Sequence, residues 1–149
     1  MTMKSYHRTR DAELILKDAG PVAASAAATV DSSAKVIDVG NAYVEGVVMI
    51  DVSALEIASN DESYTIVLQG SPDSAFTAST SVELCSLHLG AAETKGTDTN
   101  QADAAAQYRL HFDNDHAGTI FRYLRVYTVV TGTVATGINY EAYAAMPNT

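Results

Sequence analysis

The chain has 149 residues, enough for one domain with a sizeable core, and 47% of them are apolar against 18% charged. Nine basic residues against 18 acidic ones leave a formal net charge of −9, which argues against nucleic-acid binding as the main task, because neutralising phosphates needs a basic surface. A single cysteine, Cys85, excludes an intrachain disulfide and the zinc sites built on two or more cysteines, and no apolar run approaches the length of a membrane-spanning helix.

The first ten residues, "MTMKSYHRTR", contain no acid, so Lys4, Arg8 and Arg10 form a short basic arm ahead of an acidic body. Such an arm can reach an acidic neighbour; the plainer alternative is a frayed terminus kept soluble by charge. "DAELILKDAG" (11–20) is the one segment whose pattern suits a helix, and the alanine-rich "PVAASAAATV" after it suits either an extended chain or a helix. "LILK" is too short to serve as the apolar core of a signal peptide, so the product is expected to be soluble in the cytoplasm where it is made. Residues 1–34 are read as an arm and lead-in, and residues 35–149 as the folded domain.

Strand signals dominate from Lys35 onward: "KVIDV", "YVEGVVMIDV", "SYTIVLQ", "VELCSLHL", "QYRLHFD", "TIFRYLRVYTVV" and "INYEAYA". In "SYTIVLQ" Tyr64, Ile66 and Leu68 alternate with Ser63, Thr65 and Gln69, and only Val67 intrudes on the polar side. "QYRLHFD" sets Tyr108, Leu110 and Phe112 against Gln107, Arg109, His111 and Asp113. Alternation with period two means a strand with one wet face. Cys85 shares a face with Leu87 and Leu89 and is expected to be a small core residue. Gly, Asn, Asp and Ser cluster between the runs as turn signals. Seven or eight strands without long helical patterns predict an all-β fold, an antiparallel β-sandwich or jelly roll with a short N-terminal arm.

The run from Thr119 to Val130 is apolar on both faces. Ile120, Leu124, Val126 and Val130 share one face with Arg122; Phe121, Tyr123, Tyr127 and Val129 share the other with Arg125. In a two-layer sandwich the second face needs a cover. Self-association through Phe121, Tyr123, Arg125 and Tyr127 is the expectation, against burial under a loop of the same chain.

Four segments imitate reactive sites. "HFDNDHAG" gathers His111, Asp113, Asp115 and His116, but a calcium loop starting at Asp113 would need an oxygen ligand at Ala117 and a glutamate at Leu124; it is expected to be an Asp/Asn turn that uses Gly118. "GTVATGIN" has two P-loop glycines, Gly132 and Gly137, with Ile138 where the phosphate-binding lysine belongs. Asp61 and Glu62 are adjacent acids in a polar loop, expected to be solvated turn residues, and the four histidines are scattered. "VLQGSPDSAF" (67–76) offers Ser71, Asp73 and Ser74, which suit backbone capping in a corner after Pro72, with Phe76 turned back to the core. No catalytic residue, cofactor or metal ligand is assigned, and the chain is not read as an enzyme. Tyr43, Tyr140 and Tyr143 suit packing or interface positions better than an open glycan platform.

Taken in order, "VIDVG" (36–40), "YTIVLQGSPDSAF" (64–76), "FRYLRVYTVVTGT" (121–133) and "GINYEAY" (137–143) resemble the jelly-roll cement, or decoration, proteins of tailed-bacteriophage capsids. The resemblance covers about residues 10–145 and implies a non-enzymatic virion protein on the outer capsid surface. It would cement neighbouring major capsid subunits as a homotrimer or homodimer, binding neither nucleic acid nor membrane. Lys4, Arg8 and Arg10 are the expected capsid contacts, although the basic start departs from the family's pattern. The alternative is a glycan-binding or receptor-binding jelly-roll module of a phage head fibre or tail.

Overall fold

A computed structural model describes residues 10–77, 79–91 and 103–146. The first expected helix is absent. Asp11 caps only one 3-10 turn, Ala12–Leu14, with its Oδ1 accepting the Glu13 amide. The chain then extends into β1 (Ile15–Lys17), because Leu16 is wholly buried between the sheets while Ile15 and Lys17 align with Tyr143 and Ala142 of the last strand. Tertiary pairing overrides the local helical pattern here. The alanine-rich segment is extended, in β2 (Pro21–Val22), β3 (Ala26–Ala27), and the small hairpin of β4 (Thr29–Val30) and β5 (Ser33–Ala34). From Ile15 onward the lead-in is therefore woven into the sandwich.

The remaining strands are β6 (Ile37–Asp38), β7 (Glu45–Leu55), β8 (Ser63–Ser71), β9 (Val82–Gly90), β10 (Ala106–Asp113), β11 (Asp115–His116), β12 (Thr119–Ile120), β13 (Tyr123–Thr131) and β14 (Ile138–Ala145). One sheet runs β1-β14-β7-β10, with β2 added to β14; the other runs β3-β13-β8-β9, with β6 added to β13. All pairings are antiparallel. The chain passes from sheet to sheet at β2–β3, β6–β7, β7–β8, β9–β10, β10–β13 by way of the β11–β12 hairpin, and β13–β14, giving the double Greek-key winding of a jelly roll. The expected all-β sandwich is the observed fold.

The core lies between the two sheets. Val48, Ile50 and Val52 of β7 and Tyr140, Ala142 and Ala144 of β14 meet Tyr64, Ile66 and Leu68 of β8 and Leu124 and Val126 of β13. Alternation along β8 and β10 is as the sequence predicts, and Cys85 and Leu87 pack against the same core. The Thr119–Val130 run, expected as one strand, is broken at Phe121–Arg122. There the Phe121 amide donates to Asn114 O, and Arg122 O accepts the Val39 amide instead of a continuous ladder. Its alternation survives the break: Leu124, Val126 and Thr128 are buried, while Tyr123, Arg125, Tyr127 and Val129 face away from the core.

Candidate functional site

Three of the four segments that carry the family resemblance meet in space. Tyr123 on β13 lies opposite Asp38 of β6 on one side and Ser71 of β8 on the other. Thus "VIDVG", the end of "YTIVLQGSPDSAF" and the start of "FRYLRVYTVV" share one corner of the second sheet, though they lie dozens of residues apart in the chain. Two arginines on β13 and its lead-in tie the corner together.

Arg122 grips Asp38 with both prongs of its guanidinium, Nε to Oδ1 and Nη2 to Oδ2, each at 2.8 Å. Asp38 Oδ1 also accepts the Gly40 amide. The Arg122 hydrogen bonds, helped by the Gly40 amide, lower the Asp38 carboxyl to about 2, and Asp38 in turn raises Arg122. The guanidinium also lies 5.3 Å from the centre of the Tyr123 ring.

Arg125 is held differently. Its Nε donates to Gln69 Oε1 at 2.8 Å, and the guanidinium carbon lies 4.3 Å from the Phe76 ring centre and 5.4 Å from that of Tyr127. Burial lowers its pKa, opposed by Tyr127. Phe76 is buried, but it packs on this arginine and not in the core expected from sequence. The corner before it explains the placement. Ser71 Oγ accepts the Asp73 amide, Asp73 Oδ1 accepts the Ala75 amide, and Thr77 Oγ1 donates to Asp73 Oδ2. The Phe76 amide closes on Asp73 O with φ +52°, a left-handed backbone costing a bulky residue about 1–3 kcal/mol. "VLQGSPDSAF" is a shaped corner whose end product is the Phe76–Arg125 stack.

Among the expected self-association residues, Tyr123, Arg125 and Tyr127 line up half-buried on the outer face of this sheet, joined by Val129, 38% exposed. Phe121 is separate. It is buried within its own chain, where Asn114 both accepts from its amide and donates to its carbonyl. Of the expected capsid contacts, Lys4 and Arg8 lie outside the described residues. Arg10 lies along the other sheet, ion-paired with Glu141 at 2.9 Å and 6.0 Å from the Tyr143 ring centre. Tyr143 is half-buried there, Tyr140 is fully buried, and Tyr43 is 55% exposed.

The four imitations resolve into architecture. In "HFDNDHAG" Asp113 Oδ1 accepts the Asp115 amide and Asp115 Oδ1 the Gly118 amide, while Ala117 and Gly118 take positive φ between β11 and β12. Its buried Asn114 binds backbone at Ala42, Val44 and Phe121. Among the described residues, no three His, Cys, Asp or Glu side chains gather to hold a metal. In "GTVATGIN" the amides of Ala135, Thr136 and Gly137 do converge on an anion, the carboxylate of Glu56. Exposed Asp61 supports the same loop through the amide and hydroxyl of Thr133, whereas Glu62, expected to be solvated, is fully buried with its Oε1 accepting the Ser59 amide. His88 faces the hydroxyls of Thr65, at 2.9 Å, and Ser63, at 3.5 Å.

Sequence reasoning missed the partners of both arginines. Gln69 stood on the polar side of its strand, but its pairing with Arg125 depends on cross-strand register. Asp38 lies 84 residues from Arg122, beyond any local pattern. No family model matches the chain, and no curated protein matches it.

Proposed function

We propose that this protein is a non-enzymatic structural protein that binds the outside of an assembled bacteriophage capsid and cements neighbouring major capsid subunits, acting as a closed homotrimer or homodimer. One observation carries the reading. Three of the four separated segments that resemble cement proteins form a single coupled corner on a jelly roll, through Asp38–Arg122 and Phe76–Arg125.

The physics of the task suits the chain. Many weakly held copies on a rigid lattice gain through multivalency, more so when each particle is itself an oligomer. A molecule that binds only the closed shell stabilises it by mass action against internal pressure. An acidic surface discourages sticking to nucleic acid. The reading is tested by stripping the protein from purified virions and following their melting temperature. Removal is expected to lower it and re-addition to restore it; unchanged heat stability would overturn the cement role.

A further inference from the structure

We infer that the outer face of the β3-β13-β8-β9 sheet joins copies of this chain to one another, with Arg125 of one copy paired to Glu83 of another. The inference rests on the oligomer in the reading above but not on capsid attachment.

Register places Arg125 opposite Gln69 and Gln69 opposite Glu83, so one row across three strands reads Arg, Gln, Glu. Two strand spacings of about 4.8 Å separate the charges, too far for the pair to close within one sheet. Each is unspent. Of the five N–H donors on Arg125 only Nε has a partner, Gln69, and no carboxylate lies within ion-pair reach among the described residues. The Glu83 side chain is exposed, with no hydrogen bond or ion pair among the described residues. Phe76 and Tyr127 have already fixed the guanidinium and partly stripped it of water, so a second partner finds it oriented. Beside the row, Tyr127 and the exposed Val129 supply apolar contact.

Charge complementarity identifies the occupant. A row carrying one cation and one anion without ion-pair partners among the described residues complements itself. In a two-fold arrangement, Arg125 of each copy meets Glu83 of the other; in a closed ring each arginine meets the next glutamate. A second copy of a chain with net charge −9 also needs such a cation at the contact to offset repulsion.

The test is sedimentation equilibrium on the free full-length protein, as wild type, Arg125→Glu, Glu83→Arg and the double reversal. Each single reversal is expected to weaken association at least about tenfold, and the double to recover most of the loss. Glu83→Arg lies on an exposed site and leaves the Phe76–Arg125 stack intact, so it decides alone where Arg125→Glu fails to fold. A monomeric wild type, an unaffected Glu83→Arg, or a folded double reversal no better than the singles would overturn the inference. Virion melting reads the cement role separately, so failure of one is not failure of the other.

Discussion

Lys17 shows how a residue's role can be invisible in its own neighbourhood. In "LILKDAG" it looks like the polar side of a short amphipathic segment. In the fold it is 6% exposed, and its Nζ donates to the carbonyls of Asp18, Gly20 and Tyr140, each at 2.9 Å, beneath the Tyr140 ring at 4.5 Å. Burial lowers its pKa, while Asp18 opposes the shift. All three ammonium protons are used, so one side chain ties the lead-in to the last strand. Lys17→Met keeps the stem and leaves three carbonyls without this donor. It is expected to cost about 1–3 kcal/mol, read as a lower midpoint in thermal or urea unfolding. The decisive partner is 123 residues away, a separation no local pattern encodes.

At the scale of elements, strands were legible wherever one face is wet, and β8 and β10 follow their alternation residue by residue. Breaks were not. The interruption at Phe121–Arg122 depends on Asn114 and Val39, and the bulge between Leu68 and Gln69 depends on β9. The β13–β14 connection is the sharpest lesson. Its glycines carry a phosphate-loop spacing, and its amides do bind an anion, but that anion is Glu56 of the chain itself. Gly137 has φ +80°, and a Cβ there would meet the Val22 carbonyl oxygen at 1.9 Å. Gly137→Ala is therefore expected to lose more than about 1–3 kcal/mol, since the clash adds to the backbone strain, and denaturant titration measures it. A loss of a few tenths would show that the connection yields easily.

Over the whole molecule, Asp38, Glu56 and Asp61 bind protons less tightly when folded, because Arg122 or backbone amides hold their charged forms. Their contribution is present above the unfolded carboxyl values and is lost on acidification. For Asp38 the window runs from its ordinary 3.8 down to about 2. Urea midpoints are expected to fall across that interval, and less steeply in Arg122→Ala; parallel pH profiles would remove Asp38 from the account. The all-β class was legible because turn residues and period-two runs recur along the chain; the outer-face chemistry was not, because it depends on which strands become neighbours. Sheet order also bears on synthesis. β14 sits in the interior of its sheet, between β1 and β7, although the chain makes it more than a hundred residues after β1. At about 5–20 residues per second, the emerging chain waits several seconds with β1 and β7 unjoined. The sheet closes only when residues 138–145 have left the ribosome, so the core faces of β8 and β13 wait until then for Tyr140, Ala142 and Ala144 to cover them.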